Sequence, residues 1–408
     1  MLRTFVLHSR RCCSSSSLLG RPTTTFAPHG QVPPLRSFSW SQIQLRPRFI
    51  RKKPLEQQHR QSPASIDPSV FFGEQGYVGP VPTSYYIRPI VSAAVASAAI
   101  FVVAGAAYER RVMSFWDYVK HYKSRFRLPR WGRGEQKLTP EEYIQLKRDY
   151  IAERRRVFME KVQSYAQWIP RDLMRAYVLV ANKVMSLTDA EKTIWTLIGI
   201  NTVVFGCWQS YRLFPFMSRW FLHSPVSGRS VTLLTSCFSH KDVPHFLFNM
   251  IGLYSFGLAL HQEMGREQFV AMYLSAGIGA SAFSQVLGLA LRRVRPVLPS
   301  LGASGGLYGI VAACAYLNPN MAIGLIFFPF VAIPVRYGVM GLAAFDLAGL
   351  LFSIKGIDQL AHLSGMGLGF LYTAYGKERI WDPLVAKIYQ IRRSKGDPPS
   401  TPYGWPSL

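Results

Sequence analysis

Long apolar blocks constrain the fold of this chain more than any other feature of its sequence. They become dense from residue 193 onwards. Hydrophobic residues make up 49% of the chain and charged residues 17%, and the apolar residues form continuous runs rather than periodic stripes. This pattern predicts an all-α polytopic membrane protein. The expected core spans are 193–213, 245–262, 268–290, 303–318, 338–354 and 361–376.

A further apolar segment, 90–107, precedes these blocks and is just long enough to cross the hydrocarbon layer. Tyrosines and arginines flank it, as is typical of membrane interfaces. We therefore expect an additional N-terminal transmembrane helix over 87–108. A charged helical connector over 109–191 is expected to lie on the membrane surface or on the core. The apolar run 322–335 is broken by two prolines and is expected to be a loop at the membrane edge.

The N-terminal arm has an unusual charge balance. Its first 55 residues contain ten Arg or Lys residues and no Asp or Glu, and they are rich in serine. This composition predicts a mitochondrial transit peptide over 1–38, followed by a polar linker over 39–86. The end of the chain, 377–408, is predicted to be a basic tail. The net charge of +25 indicates contact with membrane lipid rather than nucleic acid, because no nucleic-acid-binding motif accompanies it.

Ser304 stands among small residues at the start of a short apolar block. Gly302, Ala303, Gly305 and Gly306 leave room for another backbone to approach. The block is so short that a helix formed by it begins below the membrane surface. Ser304 would then lie in a recess at the N-terminal end of its helix, where a developing oxyanion is favoured. It is a candidate nucleophile, although serines in membrane helices more often serve packing.

His362 begins the last apolar block. Gly365 and Gly369 follow at offsets of three and seven, on the same face of a helix. A stripe of small residues allows tight contact with another helix, and the glycine-rich start at Ser304 is its natural partner. The imidazole would then reach the serine hydroxyl and act as a general base. The alternative is a histidine that caps its helix or bonds locally.

His245 and Asn249 are four residues apart and lie on one helical face. Two adjacent hydrogen-bond donors suit an oxyanion hole, together with the backbone N–H of Ser304. A metal site that includes His240 is the alternative. Asparagine is a poor zinc ligand, however, and the chain contains no HExxH motif. No metal, nucleotide or other cofactor is expected.

Together these motifs resemble the rhomboid intramembrane serine proteases. The resemblance rests on GASG at 302–305, H-x-x-x-N at 245–249 and AHxxGxxxG at 361–369. It covers about 193–381, nearly half of the chain, and the predicted protease core is 192–376. The transit peptide and the additional leading helix resemble the mitochondrial inner-membrane branch of this family.

The resemblance implies a rhomboid fold with a six-helix core and a multi-pass location in the mitochondrial inner membrane. It implies a serine endopeptidase that acts through a Ser304–His362 dyad with no acidic third member. It further implies that His245 and Asn249 hold the oxyanion and that Tyr308 stacks on the histidine ring. The expected substrates are single-span inner-membrane precursors, which would give the enzyme a role in protein processing and in mitochondrial morphology or quality control.

Three alternatives remain open. A soluble α/β-hydrolase would use Ser304, His362 and either Asp346 or Asp358, but it requires a strand before the serine, where prolines interrupt the sequence. A catalytically inactive rhomboid-like membrane chaperone would share the fold, but such proteins usually lack the serine or the histidine. A membrane transporter would bind its substrate between internal repeats, and the two halves show no convincing repeat.

Overall fold

The structure, a computed structural model, describes residues 80–125, 139–165, 168, 170–325, 328–354 and 356–394. The predicted transit peptide and most of the polar linker lie outside the described residues, as does the end of the basic tail. The described part of the chain is mainly helical and includes a two-stranded sheet.

The leading helix, α1 (Ser84–Arg125), is 42 residues long and contains the predicted N-terminal span. It continues far beyond that span as an amphipathic helix. In this second half, Phe115 packs against Leu146 of α2 (Pro140–Ser164), within a cluster of aromatic rings. The next helix is α3 (Arg171–Ser186). The charged connector is therefore helical throughout most of its described residues.

The remaining helices follow one another with short connections. Their bounds are α4 Asp189–Trp208, α5 Phe214–Trp220, α6 Thr232–Thr235, α7 Val243–Met264, α8 Arg266–Ala290, α9 Ser304–Leu317, α10 Val335–Leu351, α11 Gln359–Leu371 and α12 Asp382–Ser394. A 3-10 turn over Ser236–Phe238 follows α6, and a π-helix over Tyr372–Trp381 joins α11 to α12. Helices α4, α7, α8, α9, α10 and α11 correspond to the six predicted core spans.

Helix α8 lies at the centre of the core, where it contacts α1, α9 and α11. Ile194, Leu253, Phe269 and Ile310, from four different helices, pack together in the main buried cluster. Among the described helices, α7, α8 and the segment Ser84–His121 of α1 are long and apolar enough to cross a membrane, and α9 is a shorter apolar helix. The predicted all-α polytopic membrane architecture is confirmed.

The prediction of a loop over 322–335 is wrong. Strands β1 (Ala322–Leu325) and β2 (Phe328–Pro334) pair there as an antiparallel hairpin. A two-stranded sheet leaves an open edge on each strand, and prolines are tolerated at open edges. The run is apolar at almost every position, so it lacks the period-two alternation that predicts a half-buried strand.

Candidate active site

Ser304 is the first residue of α9, and hydrogen bonds hold the segment that precedes it. Gly302 N–H donates to the Ser236 carbonyl oxygen at 3.0 Å, and Ala303 N–H donates to His240 Nε2 at 3.3 Å. Gly302 has a φ of +140°, and a Cβ there would collide with a neighbouring imidazole ring, so the position requires glycine. The serine is thereby fixed at a helix N-terminus, where backbone N–H groups lack partners inside the helix.

His362, on α11, faces Ser304 across the contact between α9 and α11. Its Nε2 lies 2.9 Å from the serine Oγ. The two helix backbones touch through glycines, since a Cβ added to Gly365 would overlap the Gly305 carbonyl group. The same crowding recurs at Gly369, one turn further along α11. The close approach of the two backbones therefore brings the imidazole within hydrogen-bond distance of the serine.

Tyr308, one turn after the serine on α9, lies flat against the imidazole of His362. The two ring centroids are 4.2 Å apart, and the ring planes meet at 18°. A stacked aromatic restricts rotation of the imidazole about its Cβ–Cγ bond. The ring thus supports the orientation in which Nε2 points at the serine hydroxyl.

Asp346, on α10, lies on the far side of the histidine ring from the serine. Its Oδ1 is 3.0 Å from His362 Nδ1. The Asp346 side chain is fully buried, and the His362 side chain is 13% exposed. The carboxylate, the imidazole and the Ser304 hydroxyl therefore form one hydrogen-bonded line built from three helices.

His245 and Asn249 both lie on α7, near this line of side chains. The His245 ring packs beside Gly302, and its centroid is 5.0 Å from that of His240. Asn249 is buried, and its Nδ2 donates to the His245 carbonyl oxygen at 2.9 Å. His245 is therefore adjacent to the segment that carries the serine, whereas the amide nitrogen of Asn249 is occupied within its own helix.

Two buried histidines outside the spans support the serine segment. His223 exchanges two backbone hydrogen bonds of 2.9 Å with Ser300, and its Nδ1 lies 2.9 Å from Thr232 Oγ1. Burial lowers the pKa of His223 to about 4 and the pKa of His240 to about 3, so both are neutral near pH 7. Only a neutral His240 can accept the hydrogen bond from Ala303 N–H. Within the described residues, no three His, Cys, Asp or Glu side chains are grouped to hold a metal ion.

Comparison with known proteins identifies the domain that contains this arrangement. A family model described as the rhomboid domain matches residues 227–379. These residues are a rhomboid domain. The presenilin-associated rhomboid-like protein A, mitochondrial, of Danio rerio is 35% identical over 217 residues, which cover 52% of this chain and 56% of that protein. Rhomboid protein 1, mitochondrial, of Saccharomyces cerevisiae is 35% identical over 191 residues, which cover 46% of this chain and 54% of that protein.

The chain spans about half the length of the curated relatives it matches. Its rhomboid domain belongs to the mitochondrial branch of the family, as the predicted transit peptide and the additional leading helix indicated. These relatives, together with the apolar helices, confirm a multi-pass protein of the mitochondrial inner membrane.

The rhomboid resemblance implies a Ser–His pair with no acidic third member, and the structure adds an acidic neighbour to that pair. The Asp346 carboxylate is within hydrogen-bond distance of the histidine. The rhomboid motifs do not include Asp346, which lies 16 residues before the histidine, and only the soluble-hydrolase alternative names it as a candidate acid. The signal that could have found it is an ionisable residue inside an otherwise apolar span.

Asp358 is a second acidic residue whose structural role the rhomboid motifs do not indicate. It is the N-cap of α11, and its Oδ1 accepts from Ala361 N–H at 3.0 Å. The same oxygen accepts from the Ser284 hydroxyl on α8 at 2.7 Å. Asp358 therefore fixes the start of the histidine helix against the core. In the soluble-hydrolase alternative, Asp358 is one of the two candidate catalytic acids.

Proposed function

We infer that this rhomboid is an intramembrane serine endopeptidase with Ser304 as nucleophile and His362 as general base. The observation that supports it best is the 2.9 Å contact between His362 Nε2 and Ser304 Oγ. A nucleophile and a base at this distance, with the base held by further contacts, are the recurring arrangement of serine hydrolases. The pair lies at the N-terminal end of a helix of only 14 residues, which suits chemistry below the membrane surface.

The proposed reaction is the hydrolysis of a peptide bond in or near a transmembrane segment. His362 Nε2 takes the proton from Ser304 Oγ as the oxygen attacks the scissile carbonyl carbon. The imidazolium then gives that proton to the leaving amine, and water releases the acyl group from the serine. Peptide bonds inside a helix are shielded, so the substrate must unwind locally. Small or helix-breaking residues are therefore expected near the cleavage site.

The oxyanion is proposed to be held by the Ser304 backbone N–H, His245 and Asn249. A helix N-terminus offers N–H groups and a favourable dipole to a developing negative charge. His245 lies beside the serine segment. The Asn249 side chain would have to turn towards the oxyanion, because its Nδ2 donates to the His245 carbonyl oxygen. Tightening of catalytic hydrogen bonds on substrate binding is common.

The proposed substrates are single-span precursor proteins of the mitochondrial inner membrane. The mitochondrial relatives and the location of the protein support this choice. A protease with such substrates would serve protein processing and mitochondrial morphology or quality control.

The test is labelling of the full-length protein in proteoliposomes by a fluorophosphonate probe, which reacts with activated serines. We expect labelling of the wild type, loss of labelling in Ser304→Ala, and unchanged labelling in Ser186→Ala, whose serine is exposed at the end of α3. Cleavage of a co-reconstituted single-span reporter should follow the same pattern. A folded wild type that neither reacts nor cleaves would favour the alternative, a catalytically inactive rhomboid-like membrane chaperone.

A further inference from the structure

We propose that Asp346 is a positioning residue that extends the pair to an Asp346–His362–Ser304 triad, an inference that rests on the proposed function. Its Oδ1 lies 3.0 Å from His362 Nδ1, while the opposite ring nitrogen lies 2.9 Å from the serine Oγ. The carboxylate, the imidazole and the hydroxyl therefore follow one another through two hydrogen bonds, in the order found in soluble serine hydrolases.

The burial of Asp346 and its contact with His362 indicate that this carboxylate serves the histidine. A buried acidic side chain in a membrane helix is costly and is retained where it has a partner and a role. Asp346 is fully buried, and its carboxylate lies against the imidazole that faces Ser304. The titratable groups that face it are His362 on α11 and Tyr308 on α9.

The contact determines which ring nitrogen of His362 carries the proton in the resting state. A carboxylate oxygen accepts only, so His362 Nδ1–H donates to Asp346, and Nε2 is left free to accept from the serine hydroxyl. When Nε2 takes the serine proton, the resulting imidazolium lies between the carboxylate and the tetrahedral intermediate on Ser304. The Asp346 carboxylate, which accepts the hydrogen bond from Nδ1, stabilises that cation.

A membrane environment makes this stabilisation more important than it is in water. An imidazolium formed in a recess of low dielectric has lost most of its solvation, and an adjacent fixed carboxylate replaces part of it. Tyr308 fixes the plane of the imidazole ring, but stacking does not determine which ring nitrogen carries the proton. The hydrogen bond to Asp346 places that proton on Nδ1.

The experiment compares Asp346→Asn and Asp346→Glu with wild type in proteoliposomes, using reporter cleavage and fluorophosphonate labelling. Loss of the acceptor in Asp346→Asn should lower kcat on the order of 10⁴-fold, as for the equivalent change in soluble triads, with KM nearly unchanged. Asp346→Glu, which restores a carboxylate, should regain part of the rate. Glu263→Gln is the matched control, because this exposed acid contacts Asn318 at the other end of α9.

A spectroscopic readout separates positioning from folding. In full-length protein with ¹⁵N-labelled histidine in nanodiscs, the Nδ1–H proton of His362 should give a strongly downfield resonance. We expect it in wild type and in Ser304→Ala, and we expect it to be absent from Asp346→Asn that keeps the wild-type elution volume. Wild-type kcat together with this resonance in Asp346→Asn would overturn the triad and leave the protease proposal intact. Because Ser304→Ala also reports the resonance, the pairing is tested even if the wild type proves inactive.

Discussion

Tyr308 illustrates how much of this site depends on one aromatic contact. Its ring lies 4.2 Å from the imidazole of His362, centroid to centroid. Stacked aromatic pairs contribute about 0.5–1.5 kcal/mol beyond the area they bury. Tyr308→Ala should therefore lower kcat by up to about 10-fold, because the freed imidazole samples orientations that miss the serine. Steady-state cleavage of a single-span reporter in proteoliposomes measures this.

Tyr308→Phe is the matched control for that change, since it keeps the ring and removes the hydroxyl. It should retain a kcat close to that of the wild type. If the phenylalanine variant were as slow as the alanine variant, the hydroxyl rather than the stack would be the essential part. Both variants should elute from a sizing column as the wild type does.

The individual residues differ in how far the sequence could predict them. Ser304 and His362 could be found because each is a polar residue at the end of an apolar block, with glycines at helical spacing around it. Asp346 could be recognised as an acidic residue in a span and as a candidate acid of the soluble-hydrolase alternative, but not as a neighbour of His362 in a rhomboid fold. Its partner depends on the rotation of α10 about its own axis, and no local pattern determines that rotation.

At the scale of elements, the contact between α9 and α11 is the one the sequence predicts best. Gly305, Gly365 and Gly369 leave no side chain at the contact, so the two backbones can touch. The β1–β2 hairpin could not be predicted, because its sequence contains no comparable pattern. Its strands are apolar at nearly every position, so they show neither a helical nor a strand period.

The loops that support α9 should make the protein sensitive to acid. Burial lowers the pKa of His223 to about 4 and that of His240 to about 3, whereas an unfolded histidine titrates near about 6.5. Below about pH 6.5 the unfolded chain binds protons that the folded chain cannot. The free energy of unfolding should therefore fall as the pH drops from about 6.5 towards 4, by up to about 1.4 kcal/mol per histidine per pH unit.

Thermal unfolding of the protein in nanodiscs at pH 7.5, 6.5, 5.5 and 5.0 measures this effect. His223→Gln keeps a hydrogen-bonding side chain that does not titrate, so the drop in Tm below pH 6.5 should be markedly smaller in this variant. His121→Gln, at an exposed site on α1, is the control and should keep the wild-type drop. An equal drop in wild type and His223→Gln would show that the buried loop histidine is not responsible.

At the scale of the whole molecule, the leading helix α1 runs from one end of the core to the other. At its start, Gln285 of α8 donates to the Tyr85 carbonyl oxygen and also to that of Pro225, both at 3.0 Å. Further along α1, Arg111 forms a bidentate ion pair with Glu267. Glu267 lies at the beginning of α8, at the other end of that helix from Gln285. The start of α1 therefore lies at the end of the core that also holds Ser304.

The C-terminal helix belongs to the other end of the core. Arg392 of α12 pairs with Glu109 of α1, two residues before the arginine that binds α8. An odd number of crossings, α1 together with the six core helices, is consistent with this placement. The beginning of α1 and the active site thus share one face of the membrane, and the end of α12 faces the other compartment.

This arrangement predicts a specific pattern of accessibility in intact mitoplasts. In a cysteine-free background, Thr83→Cys before α1 and Val294→Cys after α8 should react together with a membrane-impermeant maleimide, or be protected together. Ser394→Cys at the end of α12 should behave in the opposite way, and all three should react once detergent is added. The geometric reason is that α1 runs along α8. Gln285, near the end of α8, contacts the start of α1, and Glu267, at the beginning of α8, contacts Arg111 further along α1. If Thr83→Cys instead reacted together with Ser394→Cys, α1 would not cross the membrane alongside the core.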